Sequence, residues 1–367
     1  MADQNSTKKK FLFIVQGEGR GHMTQAISLF YLLKKNGHTV CEVVVGKSAR
    51  RKIPDFFYQK LEGCPIDTME SPNFITDKSN KSIKVRATFF ANLKKYPTFK
   101  KSLKSLDQKI KAHRPDVIVN FYDFLGGLYN RYTKHNCRFV CIAHQYLAYH
   151  TDFPFAKGNF WDKNTLKLGN KITSMRAEKK LALSFSNAYS PQKGIVITPP
   201  LLRKELESVT VSDEGFILVY MVNDGYGEEV MNFHEKHPEV KLHCFWDRKN
   251  AEETEVIDKT LTFHQISDIK FLDMMSKCSG YASTAGFESI CEAMYLGKPV
   301  MMVPVAKQYE QACNAIDAEK AGAGISSNNF SIEKLLKYID NHENNNSDFR
   351  EWVSQCESII LPELTEF

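Results

Sequence analysis

The sequence predicts an α/β protein of two domains in series, each a parallel sheet with helices on both faces. Three observations carry this expectation. The chain has 367 residues, and single hydrophobic cores stop growing at about 250–300 residues. Short apolar runs alternate with helical patterns along its length, the grammar of parallel sheets. Charge also inverts half-way: residues 1–200 hold 34 Lys and Arg against 14 Asp and Glu, and residues 201–367 hold 15 against 29. The overall +6 hides this asymmetry, and the basic first half favours an anionic partner.

The elements follow in order. Phe11–Val15 reads as a buried strand, Gly17 to His22 as a turn, and Met23 to Lys35 as a helix with Ala26, Leu29, Phe30 and Leu33 at helical spacing before Gly37. Further strands are expected at Val40–Val45, Val117–Val119, Phe139–Ala143 and Ile195–Ile197. Thr198-Pro199-Pro200 breaks the pattern where the charge changes sign, which places a first domain at 1–198 and a second at 199–348. The second half restarts with a strand at Phe216–Tyr220, a turn at Asn223–Gly227 and a helix. Strands at Leu242–Phe245, Leu261–Phe263, Gly280–Ser283 and Val300–Val303 follow, with helices at Phe287–Leu296 and Tyr309–Lys320. Phe349–Leu361 reads as one last helix within a closing segment, 349–367, in position to cross back to the first domain. Both glycine-bearing turns directly follow a first strand and would face a cleft between the sheets.

Composition excludes several classes. At 43% hydrophobic and 25% charged residues, the chain is neither collagen-like nor disordered. It has no run of about 18 apolar residues to span a bilayer. The polar start and the brief Phe11–Val15 run make no signal-peptide core, so the expected location is the cytoplasm. The nine cysteines are scattered with no CxxC, and no Cys/His spacing suggests a metal, so neither a disulfide framework nor a metal site is expected.

The first turn, Gly17-Glu18-Gly19-Arg20-Gly21-His22, fits only two places of a dinucleotide fingerprint. His22 stands at the third glycine, and Gly46-Lys47 replace the acid expected after the second strand, which disfavours a nicotinamide cofactor. What remains is a backbone free of bulk at a helix N-terminus, bearing an imidazole, suited to an anion or a polar substrate.

The second half carries an ordered block: Ser283-Thr284-Ala285-Gly286-Phe287-Glu288-Ser289-Ile290-Cys291-Glu292-Ala293, then Gly297-Lys298-Pro299, Pro304, Glu310-Gln311 and Asn314-Ala315. This block resembles the nucleotide-sugar signature of the GT-B glycosyltransferases, in the family 28 and UDP-glycosyltransferase-like branch that holds the MurG-type N-acetylglucosaminyltransferases. The first turn resembles that branch's N-terminal glycine loop, which usually ends in His. The resemblance implies two Rossmann-like domains facing a central cleft, an acceptor site on the first and a nucleotide-sugar site, UDP-linked by expectation, on the second. It implies no cofactor and no bound metal: Gly286, Phe287 and Ser289 would meet the diphosphate at a helix N-terminus. Glu292 would accept from the ribose hydroxyls, and Glu310 and Gln311 would read the sugar. Gly225 would touch the phosphates from the other side, and Phe263 and His264 would flank the base. The chain departs from the family pattern at Thr284, where many relatives place His, and at Glu288, where relatives often have Asn and a carboxylate sits awkwardly by a diphosphate.

The implied reaction is direct displacement with inversion at the anomeric carbon, moving the sugar to a lipid-linked or small-molecule acceptor. His22 is the first choice of base, because imidazole titrates near neutral pH. Glu18 is a second candidate. Relatives orient the His with an Asp where Asn120 stands here. Asp123 is three residues on and reads equally as that acid or as a helix cap. Gly17, Gly19, Arg20 and Gly21, with His144 and Gln145, would form the acceptor and phosphate loop. Two rivals share these residues: a nucleotide-sugar epimerase or hydrolase, kept open by Glu288, and a nucleotide-sugar-binding subunit without catalysis.

Residues 78–114 hold twelve Lys and Arg against Asp107 alone, interleaved with Phe89, Phe90, Tyr96 and Phe99. They read either as an ordinary surface helix or as a peripheral contact with an anionic membrane at its inner face. Nucleic acid is not an expected partner, since no recognised binding module is present.

Overall fold

The computed structural model describes residues 8–47, 52–72, 95–158, 160–221, 224–248, 252–344 and 346–367. Residues 78–94 of the basic segment, with Phe89 and Phe90, and Asn223 of the second glycine turn lie outside them.

Two seven-stranded sheets form the frame. The first contains β1 (Lys10–Gln16), β2 (Thr39–Lys47), β3 (Ile66–Glu70), β4 (Val117–Phe121), β5 (Arg138–Ala143), β6 (Lys179–Leu183) and β7 (Val196–Thr198), in the order β3-β2-β1-β4-β5-β6-β7. The second contains β8 (Ile217–Met221), β9 (Leu242–Trp246), β10 (Thr254–Val256), β11 (Leu261–Gln265), β12 (Gly280–Thr284), β13 (Val300–Val303) and β14 (Gly324–Ser326), in the order β10-β11-β9-β8-β12-β13-β14. Every pairing is parallel except β10 with β11. β1 lies between β2 and β4, with Phe13 opposite both Val43 and Val119. A strand covered on both faces reads as a continuous apolar run, as Phe11–Val15 does.

In the first half the helices are α1 (Arg20–Lys35), α2 (Asp55–Lys60), α3 (Tyr96–His113), α4 (Phe124–Tyr132) and α5 (Phe160–Thr173). In the second they are α6 (Gly227–Lys236), α7 (Asp268–Lys277), α8 (Phe287–Tyr295), α9 (Tyr309–Lys320) and α10 (Ile332–Ile339). The chain closes with α11 (Asn346–Ser354) and α12 (Cys356–Thr365). α1 buries Ala26, Leu29, Phe30 and Leu33, the stripe its spacing requires. α3 buries Phe99, Leu106 and Ile110 while Lys100, Lys101 and Lys104 stay exposed. Residues 96–113 of the basic segment are therefore a surface helix with its apolar stripe on the core.

Some local expectations need correction. α1 begins at Arg20, not Met23, because Gly19 takes the N-cap position, so His22 sits in the helix rather than in a turn. The single last helix expected at 349–361 is two helices. Ser354 Oγ donates to Glu351 O at 2.7 Å and Gln355 N to Trp352 O at 3.2 Å, which tightens the chain for a residue and redirects it. The closing segment then lies along the first sheet's domain. Trp352 Nε1 donates to Ser184 O at 3.1 Å, and Glu357 and Glu363 pair with Lys35 and Lys179, each at 2.7 Å.

Strand order locates the cleft. In each sheet the chain changes direction about its first strand, between β1 and β4 and between β8 and β12. Ligands in such sheets bind beyond the carboxyl ends of the strands at that point. The loops that leave there are 17–19 after β1, 122–123 after β4 and 285–286 after β12.

Candidate active site

The β1–α1 loop is built by close approach. Gly17 N donates to Gly46 O at 2.7 Å, and a Cβ at Gly17 would stand 2.8 Å from Val45 Cγ1. Only glycine lets the loop hug β2. Gly19 then caps α1 without a side-chain acceptor, and the first turn of α1 holds no acid. The β12–α8 loop repeats the design. Gly286 N donates to Thr284 O at 2.6 Å, Asn314 Nδ2 donates to Ala285 O at 3.2 Å, and Gly286 caps α8 with no side-chain partner. A Cβ at Gly286 would meet nothing nearer than 3.9 Å, so this helix end is open.

The two bare helix ends face one another. A Cβ at Gly21 would lie 3.2 Å from Glu288 Cγ. Each end carries unsatisfied N–H groups and the positive end of a helix dipole. α8 has one first-turn acid, Glu288, and burial pushes its pKa up to about 8. The carboxylate that looked awkward beside a diphosphate is therefore largely neutral at pH 7.

His22 stands in the first turn of α1, next to Gly21. Its ring stacks on Tyr122, 5.6 Å between centroids and 18° between planes. Its Nδ1 is 3.2 Å from Gln25 Oε1, and Gln25 Nε2 donates to Glu288 Oε1 at 2.5 Å. On the other edge, Gln145 Nε2 is 3.4 Å from His22 Nε2 and donates to Glu310 Oε1 at 2.9 Å. Burial lowers the His22 pKa to about 4 and raises that of Glu310 to about 7. The imidazole is thus neutral at physiological pH and able to take a proton.

The other sequence-predicted residues fall in distinct places. Asp123 is fully buried and caps α4, accepting from Gly126 N at 3.0 Å. Its Oδ2 lies where a Cβ at Gly46 would come, within 1.9 Å, and no hydrogen bond joins it to His22 among the described residues. Asn120 is tied to backbone, to Asp123 N and O and to Thr173 O. Glu18, half-buried, lies in the loop before Gly19, and Arg20 is the first residue of α1. His144 is buried rather than facing open space: Nδ1 meets Leu183 O at 2.7 Å, and its ring stacks on Phe287 at 4.1 Å. Phe287 also touches Phe185, so the aromatic trio pins the start of α8 to the first domain.

Glu292 is buried and accepts from Arg203 Nε at 2.5 Å. Arg203 also reaches Asp268 at 2.5 Å, and Lys60 of α2 joins Asp268 and Glu205 at 2.8 and 2.7 Å. Thr284 is buried at the end of β12, Ser289 is half-buried in the first turn of α8, and Gln311 Oε1 accepts from Val305 N at 2.9 Å. Gly225 is exposed in the short 3-10 turn Asp224–Tyr226. Phe263 and His264 are not brought to an open surface. Phe263 stacks on Trp246 at 4.1 Å, and His264 Nε2 lies 3.1 Å from His243 Nδ1. Sequence reasoning missed Gln25, Tyr122 and Arg203. Gln25 lies one helical turn after His22 (i, i+3), a signal that was available. Tyr122 holds the left-handed φ of 60°, uncommon for a bulky residue and invisible in the sequence.

Residues 9–342 match the family model described as glycosyl transferase family 1. The chain belongs to this glycosyltransferase family. A Thermotoga petrophila protein, named as UDP-N-acetylglucosamine–N-acetylmuramyl-(pentapeptide) pyrophosphoryl-undecaprenol N-acetylglucosamine transferase, is 27% identical over 187 residues, 47% of this chain and 53% of that one. The chain thus matches about half the length of this curated relative. Among solved structures, the kitacinnamycin glycotransferase superposes with a TM-score of 0.63 at 12% identity, covering 97% of this chain and 99% of that one. Acinetobacter baumannii MurG gives 0.56 at 16%, covering 98% and 100%. These neighbours share the GT-B fold, and the glycosyltransferase described here has it. No helix among the described residues is long and apolar enough to cross a membrane.

Proposed function

We propose that this glycosyltransferase moves a sugar, with inversion, from a UDP-linked donor to a hydroxyl of a lipid-linked or small-molecule acceptor, without a metal. The observation that carries the reading is the pair of bare, glycine-capped helix ends that face one another, with His22 in the first turn of α1. The acceptor oxygen attacks the anomeric carbon while His22 Nε2 takes its proton. The bond from that carbon to the phosphate oxygen breaks, and its electron pair leaves with the nucleoside diphosphate. Preorganised N–H groups at the start of α8, with its dipole, meet the developing charge. Glu288 is 8% exposed with its Oε1 bonded to Gln25, so its carboxyl is buried rather than open to a sugar ring. This supports transfer over epimerisation or hydrolysis.

A membrane-borne acceptor is supported by the outer surface of the first domain. On α5, Phe160 and Trp161 are 74% and 75% exposed, and Lys171 of the same helix lines a cavity of about 490 Å³ with Arg131, Arg176, Lys180 and Lys193. Exposed aromatics at one end of a helix and a cluster of cations at the other suit an anionic lipid surface. The test is a thermal-shift panel of UDP-, GDP-, dTDP- and CDP-sugars, followed by nucleotide release with and without chelator. UDP-sugars should stabilise the protein selectively, and a chelator should leave turnover unchanged. A strict magnesium requirement, or no response to any nucleotide-sugar, would overturn the reading.

A further inference from the structure

Glu288 occupies the first turn of α8, yet its side chain turns to the opposite domain and meets Gln25. We infer that Glu288 is a positioning residue: through Gln25 it holds His22 in the tautomer with Nδ1 protonated and Nε2 free. The inference rests on the reading of His22 as base. It makes the base competent only when the two domains meet, because the anchor of its orientation lies across the cleft.

The chemistry of an amide carries the argument. The two ends of Gln25 are not interchangeable: Nε2 donates and Oε1 accepts. Glu288 Oε1 accepts from Gln25 Nε2, and Gln25 Oε1 faces His22 Nδ1, 3.2 Å away. An acceptor there requires an N–H on Nδ1, and a neutral imidazole has one N–H only, so Nε2 keeps its lone pair. A second contact agrees independently. Gln145 directs its amide nitrogen at His22 Nε2, 3.4 Å away, while donating to Glu310. A donor facing Nε2 is compatible with a lone pair there and not with a second N–H. The stack on Tyr122 holds the ring plane, and the contacts at Nδ1 and Nε2 set which edge meets which amide.

An unrestrained imidazole in water favours the opposite form, with the proton on Nε2, which could not accept a proton from the acceptor at that edge. The place where relatives carry an acid holds Asn120, tied to backbone, and Asp123 is engaged as the cap of α4. The link to Glu288 supplies the orientation from the donor-binding domain instead.

The test uses the full chain with ¹⁵N-labelled histidine, whose nitrogen shifts report the tautomer directly. His22→Asn identifies the His22 signals among the 11 histidines. Wild type and Glu288→Gln, which keeps a carbonyl acceptor for Gln25, should both show the proton on Nδ1. Glu288→Met should move the tautomer ratio toward Nε2–H by about five- to tenfold, the worth of one lost hydrogen bond. Gln25→Met cuts the same link from the other side and should do the same if Glu288→Met folds poorly. Affinity for UDP is measured on the same samples, so that the donor-binding reading is tested separately from the tautomer. An unchanged tautomer in both Met variants overturns the inference, as does failure of Glu288→Gln to keep it. Loss of UDP binding in wild type would count against the nucleotide-sugar reading, while the tautomer result would still decide this one.

Discussion

Replacing Glu288 by Gln should reshape the dependence of stability on pH. Burial carries the Glu288 pKa from 4.5 to about 8. A folded-state pKa above the unfolded one means that the folded chain holds the proton more tightly. The associated stability is fully present below about pH 4.5 and is lost as pH rises through about 8. At ~1.4 kcal/mol per pH unit, that span is worth up to ~5 kcal/mol, and water entering around the ion reduces it to roughly 2–5. Gln keeps the acceptor for Gln25 and has no proton to lose. Other carboxyls titrate in the same window, Glu310 near 7 and Asp123 and Asp317 near 6, but they are common to both proteins and cancel in the difference. Melting temperature should be measured from pH 4.5 to 9. The two proteins should melt alike at the acid end. By pH 8.5 the variant should melt roughly 5–15 °C higher, at about 2–4 °C per kcal/mol for domains of this size. Parallel curves across the range would refute the assigned burial and protonation of Glu288.

Three further outcomes follow from the geometry. His22→Asn should abolish transfer by at least ~100-fold, the lower range for general-base catalysis, while UDP affinity measured by calorimetry holds. The acid limb of kcat/KM should fall near pH 4–5 rather than 6.5, because the His22 pKa is lowered to about 4 in the free enzyme. Arg203→Met leaves the buried Glu292 without its cation while Asp268 keeps Lys60, and should cost ~3–5 kcal/mol in chemical unfolding.

Much of the fold was legible because its signals are local. Phe11–Val15, Val300–Val303 and the helix Tyr309–Lys320 are apolar runs or periodic stripes, and they fall where expected. β6, which opens on Lys179-Lys180, was not, and nor were β3, β10 and β14, because Ile66–Glu70 has two exposed residues and Thr254–Val256 and Gly324–Ser326 have three residues each. Such edge strands are held by a neighbour rather than by their own pattern. The site divides in the same way. Gly17, Gly19, His22 and Gly286 announce themselves by the loops they make. The bonds of Gln25 and Gln145 to Glu288 and Glu310 join residues 263 and 165 positions apart, and nothing local encodes them. Phe263 and His264 fared differently, because a strand end can turn into the core or toward the cleft, and the packing of Trp246 and His243 takes them inward.

The central claim is that the N–H groups of residues 287–289, not a bound cation, meet a departing nucleoside diphosphate. A crystal structure of the protein with UDP, grown with chelator present, tests it most directly. The account predicts phosphate oxygens about 2.7–3.2 Å from the amides of Phe287, Glu288 and Ser289. Diphosphate seated elsewhere, or seated there only after magnesium is supplied, would contradict it.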